Sequence, residues 1–160
     1  YTRIRPVKSN QKFAGVIHFE NLSTTELGAL LTALELPDGC RHKLGMGKPL
    51  GLGSINMQII LELSNRYKRY TQALGEWNSG NPCDTKPYKQ AFANDVLKHS
   101  GNEIAADQAI EFLWNLPRLK ELKILLNPEN GKGKRDSIRY MTLEERGYRE
   151  RHILPQASEV

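Results

Sequence analysis

Hydrophobic residues recur along this chain with two spacings, one typical of helices and one typical of strands. The clearest helical pattern is a set of four leucines at positions i, i+3, i+4 and i+7: Leu27, Leu30, Leu31 and Leu34. Before them, Ser23 and Glu26 have the spacing of a capping box, in which each side chain binds the backbone amide of the other residue. Pro37 and Gly39 follow and favour a helix end. We therefore predict a helix that begins after Ser23 and packs its leucines on a sheet.

Two segments instead alternate between hydrophobic and polar residues, as a strand with one buried face does. Residues 12–19, with the sequence KFAGVIHF, place Phe13, Ile17 and Phe19 on one face. Residues 54–63 alternate over a longer stretch, and their hydrophobic face consists of Ile55, Met57, Ile59, Leu61 and Leu63. Both segments are therefore predicted to be strands.

The second half of the chain has helical spacing. Residues 75–82 are rich in turn formers, and three hydrophobic sets follow, which end at Ser100-Gly101, at Pro117 and at Asn127-Pro128. The sets are Tyr88, Phe92 and Val96; then Ile104, Ile110, Leu113 and Trp114; then Leu119, Leu122, Leu125 and Leu126. We predict three helices that form a helix–helix core. The chain then divides into a core portion at 1–70, a linker at 71–82, a helical segment at 83–128 and a basic tail at 129–160, where residues 142–145 form a weak second capping box.

Composition is that of a soluble globular protein, with 39% hydrophobic and 26% charged residues among 160. No apolar run approaches the roughly 18 residues that a membrane span needs. The net charge of +5 and the pI near 9.3 favour acidic partners, nucleic acid first, but a mildly basic surface without such a partner fits equally well. Cys40 and Cys83 are too few for a disulfide framework, so we expect reduced thiols and a cytoplasmic location. Because the chain begins at Tyr1 without methionine, we expect it to be a piece of a longer protein.

A glycine-rich loop lies between the leucine helix and the long predicted strand. Its sequence, RHKLGMGKPLGLGSI at 41–55, has four glycines within nine positions and two lysines among them: Gly45, Gly47, Gly51, Gly53, Lys43 and Lys48. Glycine has no Cβ and adopts positive φ readily, so a glycine-rich backbone can approach another molecule closely. Backbone amides in such loops form concave nests that suit phosphate oxygens. The loop therefore predicts a phosphate-binding site.

Basic and aromatic residues alternate directly after the long predicted strand: Arg66, Tyr67, Lys68, Arg69 and Tyr70. Arginine and lysine contact phosphates, and tyrosine offers a stacking face to an unpaired base. An exposed strand end with a solvated charge run explains the same pattern equally well.

Other kinds of site fit the sequence less well. A nucleotide-binding P-loop follows a strand and has Ser or Thr after its lysine, whereas Lys48 is followed by Pro49 and this loop precedes a strand. In a dinucleotide-binding fingerprint the glycines open a helix, and here they open a strand. The sequence therefore argues against both nucleotide sites.

Metal binding and catalysis also have little support. A candidate ligand set lacks the paired spacing that fixes metal geometry: Cys40, His42, Cys83 and His99. We therefore expect no metal or other cofactor in this chain. His42 flanks the glycine-rich loop, where phosphate contact, loop structure and a general-base role all remain open. No carboxylate at short spacing supports the general-base role, and we assign no catalytic residue.

With these residues in place, the chain resembles CRISPR-associated RAMP proteins of type III systems, particularly those of the III-D and III-E branches. The resemblance covers residues 13–63, which include the leucine helix, the glycine-rich loop and the long predicted strand. The tail at 126–155 also looks like the C-terminal end of those proteins, whereas the helices between are less diagnostic. The resemblance implies an α+β fold with a ferredoxin-like or RRM-like core. In that core the loop joins the last helix to the last strand.

The resemblance further implies that the loop lies against the backbone of a guide RNA. It implies that the four glycines approach the RNA backbone closely. The side chains nearest to the phosphates would be those of Lys43, Lys48 and Ser54. The predicted RNA-binding set consists of the four glycines, these three side chains, His42 and the basic residues of the next segment, which are Arg66, Lys68 and Arg69. The implied partners are guide RNA, target RNA and other RAMP domains or subunits of the effector.

One departure from the family pattern stands out. The family core has a β-α-β half before the strand at 12–19, and only eleven residues precede that strand here. In target-cleaving subunits the catalytic aspartate lies in this half, so no position of this chain can take its role. Any zinc of the family would likewise lie elsewhere in a longer chain.

The sequence therefore leaves three possible functions. The first is a non-catalytic, guide-RNA-binding segment of a type III CRISPR effector. The second is a RAMP endoribonuclease with His42 as general base. The third is a protein-interaction module in which the helices at 88–126 dock a partner.

Overall fold

The fold combines α-helices with short antiparallel strands, which confirms the α+β class predicted from the sequence. The computed structural model describes residues 3, 5–48, 51–71, 81–101, 105, 107–132, 150 and 156–159. The helices are α1 (Thr24–Leu34), α2 (Arg66–Thr71), α3 (Lys86–His99), α4 (Ala109–Asn115) and α5 (Pro117–Leu126). The strands are β1 (His42–Lys43), β2 (Ser54–Ile55), β3 (Leu61–Leu63) and β4 (Asn81–Cys83), and short 3₁₀ helices lie at Pro128–Gly131 and Ala157–Glu159.

Helix α1 begins at the capping box that the sequence predicts. The amide of Glu26 donates to Ser23 Oγ at 3.2 Å, and the amide of Ser23 donates to Glu26 Oε2 at 2.8 Å. The hydrogen bond from the Ser23 backbone, and then that from its side chain, lower the pKa of Glu26 below its usual value. Leu27 and Leu31 are buried, as the leucine spacing predicts. Both the cap and the buried face of this helix are confirmed.

The four strands form two separate antiparallel pairs. In the first, β1 pairs with β2, with His42 opposite Ile55 and Lys43 opposite Ser54. In the second, β3 pairs with β4, with Leu61 opposite Cys83. This second pairing joins the predicted core portion to a residue beyond the predicted linker at 71–82. Local spacing did not reveal it, because the two strands are far apart in sequence.

The predicted inward and outward faces of residues 54–63 are confirmed. The backbone of this segment, however, pairs with other strands only at its two ends. Residues from 54 to 63 alternate between exposed and at least half-buried positions without exception, and the inward positions are those predicted. Only its two ends, β2 and β3, pair with another strand among the described residues. The alternation thus determines which side of the segment faces the core, whereas its backbone hydrogen bonds depend on which other strands lie beside it.

The predicted strand at 12–19 is wrong for the part of the chain that the structure describes. These residues have no regular secondary structure, and Phe13 is 85% exposed. Val16 and Ile17 are also exposed, whereas Phe19 packs against the buried leucines of α1 and β3. A strand needs a second strand to satisfy its backbone groups, and none of the described strands pairs with this segment.

Two hydrophobic clusters form the core, and α3 contacts both. The first joins α1 to β3 and β4, and its buried members are Leu27, Leu31 and Leu61. The second joins α3 to α4 and consists of Ala93, Leu97, Ala109 and Leu113. Tyr88 near the start of α3 packs on the first cluster, and the C-terminal half of the same helix lies in the second. The predicted helical segment therefore packs directly on the predicted core portion.

A polar contact and a close backbone approach hold α1 to α3. The Lys89 ammonium lies 2.5 Å from the Glu35 carboxylate, and both side chains are largely buried. The hydroxyl of Thr85 donates to the same carboxylate at 3.1 Å. Gly28 is buried where the two helices cross, and a Cβ there would overlap the backbone of Tyr88. Glycine at this position permits the approach.

The three predicted helices of the second half are confirmed, with one correction to their core. Helices α3, α4 and α5 end at or next to the predicted stop residues. Leu122 and Leu125 are nevertheless exposed, Leu125 by 67%, and no residue of α5 is buried. Helical spacing places these leucines on one face, but no other described element covers it. The prediction that they belong to the helix–helix core is therefore wrong.

The basic and aromatic segment at 66–70 lies in α2, so its interpretation as a strand end is wrong. The chain breaks from its extended conformation directly after β3. Several sequence predictions fall outside the described residues: the turn-rich connection at 75–80, Ile104, the second capping box at 142–145 and the contribution of Pro49.

Candidate functional site

The glycine-rich loop and its flanking strands form one hairpin, residues 41–55, which we call the glycine hairpin. Strands β1 and β2 form its base, and the amide of Leu44 extends their pairing by donating to Gly53 O at 2.9 Å. Inside the loop, the amide of Leu52 donates to Gly47 O at 3.2 Å, and that of Gly51 to Lys48 O at 3.0 Å. The loop is therefore closed by its own backbone, and three of its carbonyls are used internally.

All four glycines of the hairpin have positive φ: Gly45 at 82°, Gly47 at 73°, Gly51 at 83° and Gly53 at 74°. Among the described residues, the only other kind with positive φ is asparagine, at Asn10 and Asn21. Leu44, Met46, Lys48, Leu52 and Ser54 have no positive φ, so the sign of φ alternates along 44–48 and again along 51–54. Such an alternation in the sign of φ also occurs in anion-binding nests, which combine right- and left-handed residues.

Three consecutive amides in the first alternating run are available for a ligand. The amides of Gly45, Met46 and Gly47 donate to no acceptor in the part of the chain that the structure describes. A Cβ at Gly45 would meet nothing within 4 Å, so open space adjoins this backbone. Buried amides in folded proteins are almost always paired, whereas these three can bind a solvent-side acceptor. The described part of the hairpin thus combines three available amides with three carbonyls that accept hydrogen bonds within the loop.

Gly47 and Gly53 serve the closure of the loop. A Cβ at Gly53 would lie 3.1 Å from the carbonyl carbon of Leu44 and would overlap its oxygen. A Cβ at Gly47 would lie 2.9 Å from Leu52 Cδ1. Gly53 therefore makes a close approach within the hairpin itself, and the predicted approach of the glycines to another molecule stays a prediction.

The charge of the hairpin is wholly positive. Residues 41–55 contain Arg41, Lys43 and Lys48 and no acidic residue. The Lys43 ammonium donates to the hydroxyl of Ser54 at 2.6 Å, across the β1–β2 pair. Lys48 is exposed next to the three available amides. Amides and ammonium groups at one place favour an anionic ligand.

The base of the hairpin is anchored to the C-terminal ends of two helices. The ring Nε2–H of His42 donates to the carbonyl of Leu34, the last residue of α1, at 2.9 Å. The backbone amide of Arg41 donates to the carbonyl of Leu126, the last residue of α5, at 2.8 Å. Carbonyls at helix ends lack intrahelical partners, and these two residues supply them. Of the roles predicted for His42, loop structure is the one for which a contact exists.

The other predicted site residues lie on separate elements. Arg66, Lys68 and Arg69 belong to α2, and their side chains are outside the described part of the structure. Tyr67 and Tyr70 of the same helix are exposed and three residues apart, so they share a face. The structure thus joins residues 42–54 of the predicted set in one hairpin and places the basic residues at 66–69 on a helix of their own.

The candidate metal ligands do not come together. Cys40 is buried with its thiol 3.7 Å from Lys123 O, and His42 binds α1. Cys83 lies in β4, and His99 binds the carbonyl of Asp95 at the end of α3. Within the described ranges, no three His, Cys, Asp or Glu side chains are arranged to hold a metal ion.

Sequence reasoning missed two features. Leu44 and Met46, which flank Gly45, are 65% and 75% exposed. A groove of about 720 Å³ also opens between residues 17–24, residues 62–65 and Tyr88, with Glu20 and Glu62 in its wall. Leu44 and Met46 lie beside the positive-φ glycines Gly45 and Gly47, and the groove is lined in part by residues 17–19, which pair with no described strand.

No protein-family model, curated protein or solved structure matches the chain. Among the described helices, none has the length and apolar character that a membrane span requires. The function must therefore be argued from the glycine hairpin.

Proposed function

We propose that the glycine hairpin binds the sugar–phosphate backbone of RNA. The observation that carries this proposal is the run of three available amides at 45–47, formed by residues of alternating φ sign and adjoined by Lys48. No carboxylate in the hairpin opposes a bound phosphate. Contacts of this kind position an RNA chain without reading its bases, so the binding is independent of sequence.

On the resemblance to RAMP proteins, we take the RNA to be the guide of a type III CRISPR effector. What supports this is the order of elements, in which α1 is followed by the glycine hairpin and then by the alternating segment at 54–63. In this proposal a ferredoxin-like core is completed by another part of a longer chain or by another RAMP subunit. The exposed hydrophobic side chains at 13–17 fit such a completion. The segment itself binds RNA and does not cleave it.

The test compares two double variants that remove the same charge. Lys43→Ala with Lys48→Ala removes both ammonium groups of the hairpin, and Lys98→Ala with Lys120→Ala removes two exposed lysines from α3 and α5. Binding to a single-stranded RNA of mixed sequence is measured by fluorescence anisotropy over a series of salt concentrations. Each phosphate contact on a single strand contributes about 0.7 to the slope of log K against log salt.

We expect the hairpin variant to bind more weakly and to lose about 1.4 from the slope, since two contacts are removed. The control variant should change the slope by much less, because its lysines lie on other elements. Unchanged affinity and slope in the hairpin variant would refute the proposal.

The two alternatives stay predictions. A general-base role for His42 draws no support from the geometry, because its Nε2 is bound to Leu34 O. A protein-interaction role is favoured by the exposed apolar face of α5, and it is compatible with RNA binding at the hairpin.

A further inference from the structure

We infer that the groove beside β3 binds an extended segment of another protein chain. This segment adds to the open edge of β3 as an antiparallel strand and places a lysine or arginine opposite Glu62. The groove is the one of about 720 Å³ between residues 17–24, residues 62–65 and Tyr88. None of its described lining residues belongs to the glycine hairpin, so the inference is independent of RNA binding there.

The first observation is the open edge of β3. In the β3–β4 pair, Glu62 lies opposite Pro82. Proline has no backbone N–H, so these two residues cannot exchange hydrogen bonds, and the bonded pairs are those on either side of them. The N–H and C=O of Glu62 therefore point away from β4, and no other described strand or loop binds them. Because Glu62 lines the groove, a backbone donor and a backbone acceptor are available there for a ligand.

The second observation concerns the other side of the groove and its apolar surface. Residues 17–19 lie across from residues 62–65, have no regular secondary structure and pair with no described strand. Phe19, Leu27 and Leu63 belong to the hydrophobic cluster of α1 and β3, and all three line the groove. When a strand is added to a sheet edge, main-chain hydrogen bonds supply affinity and pockets for alternate side chains supply specificity. This groove offers both kinds of contact.

The third observation is the charge of the lining. Its described residues include two carboxylates, Glu20 and Glu62, and one histidine, His18, but no lysine or arginine, although the whole chain has a net charge of +5. The Glu62 side chain is exposed, and it has no ion pair in the described part of the structure. Carboxylates repel phosphates, whereas a residue of opposite charge directly across from Glu62 stabilises a strand pair. The occupant is therefore a polypeptide with a basic side chain and not RNA.

The sequence pattern of the added strand follows from the alternation of side chains in a sheet. The residue that pairs with Glu62 has its side chain on the exposed face, beside the Glu62 carboxylate. The residues before and after it have their side chains on the other face, where Leu61 and Leu63 face the core. The segment that the groove binds accordingly has a lysine or arginine between two apolar residues.

The experiment uses three peptides and three forms of the protein. The first peptide alternates valine with threonine and has a lysine at its central polar position. The second has a glutamate in place of that lysine, and the third has a methyl group on the backbone nitrogen of the lysine, which removes the N–H that donates to Glu62 O. Binding of each fluorescein-labelled peptide is measured by anisotropy with the natural protein, with Glu62→Lys and with the control Glu111→Lys. Glu111 is an exposed residue of α4, so the control changes the net charge equally.

We expect Glu62→Lys to bind the lysine peptide about fivefold more weakly than the natural protein does, because like charges then lie opposite each other. The same variant should bind the glutamate peptide about fivefold more tightly, and such a gain of affinity cannot arise from misfolding. Methylation of the lysine nitrogen should lower the affinity of the natural protein about tenfold, because Glu62 O loses its donor. Glu111→Lys should bind all three peptides as the natural protein does.

Four results would overturn the inference. Equal affinity of Glu62→Lys and the natural protein for the lysine peptide would exclude the charge pair, and full affinity for the methylated peptide would exclude strand addition. Failure of the natural protein to bind the lysine peptide would exclude the site. If light scattering shows that the natural protein self-associates and Glu62→Lys does not, a second copy of this chain occupies the groove. RNA binding by the glycine hairpin is tested separately, through Lys43→Ala with Lys48→Ala, and does not depend on these results.

Discussion

Replacing Gly28 by alanine tests the contact between α1 and α3, and α1 is one of the two helices to which the glycine hairpin is anchored. A Cβ at position 28 would lie 2.7 Å from the carbonyl carbon of Tyr88 and 2.8 Å from Phe92 Cβ, and it would overlap the Tyr88 oxygen. Carbon atoms in packed interiors are about 3.5–4.0 Å apart at their best separation. The obstructing atoms belong mainly to the backbone, so a rotamer change cannot relieve the overlap. The helices must move apart by about 1 Å.

The size of the effect follows from two opposing terms. Inserting a methyl group into a packed contact costs about 1–3 kcal/mol, and here the cost lies at the upper end because backbone must move. Alanine in place of glycine stabilises a helix by about 1 kcal/mol. The net loss is about 2 kcal/mol of unfolding free energy, which for a chain of this length lowers Tm by about 4–8 °C.

The assay is thermal and urea unfolding followed by circular dichroism. Gly15→Ala is the matched control, because a Cβ there would meet nothing within 4 Å and its φ is not positive. We expect this control to change the unfolding free energy by less than about 0.5 kcal/mol. If Gly28→Ala unfolds at the same temperature as the natural protein, or at a higher one, the close approach of α1 to α3 is wrong.

Two further predictions concern the capping box and the hairpin. The capping hydrogen bonds hold the pKa of Glu26 below its usual 4.5, so this carboxylate stabilises the fold above that pH, and the contribution is lost as the pH falls through the lowered value. Unfolding measured from pH 6 down to pH 3 should therefore show a steeper loss of stability in the natural protein than in Glu26→Gln, and parallel curves would contradict the cap. Gly53→Ala should cost about 1–3 kcal/mol through strain at positive φ, with the overlap at Leu44 adding to it. Gly45→Ala has the same kind of φ but open space around it, so urea titration should find it less destabilised, and the reverse order would refute the loop geometry.

Local interactions explain what could be predicted of the fold. The Ser23–Glu26 cap and the leucine spacing determine α1, because both depend on residues within one or two turns. Prolines and glycines mark the ends of the later helices for the same reason. The faces of residues 54–63 follow from alternation alone, and the structure reproduces them at every position.

The candidate site was predictable in part. Glycine and lysine spacing locates the hairpin, and the need for positive φ explains why glycines stand there. The different surroundings of these glycines were not predictable from the sequence: Gly45 adjoins open space, whereas Gly53 packs against the backbone of Leu44. Nor did the sequence indicate that His42 would bind the end of α1. These differences depend on atoms that lie across the loop or beyond it.

By itself, then, the sequence determined helices α1, α3, α4 and α5, the residues that face inward along 54–63, and the position of the glycine-rich loop. Only the tertiary structure decided that β3 pairs with β4, that residues 12–19 pair with no described strand, and that Leu122 and Leu125 of α5 are exposed. The physical reason is the range of the interactions. Caps, turns and amphipathic faces are formed between neighbours in the chain. Strand pairing and burial require contacts with distant segments, which the spacing of residues in one segment does not identify.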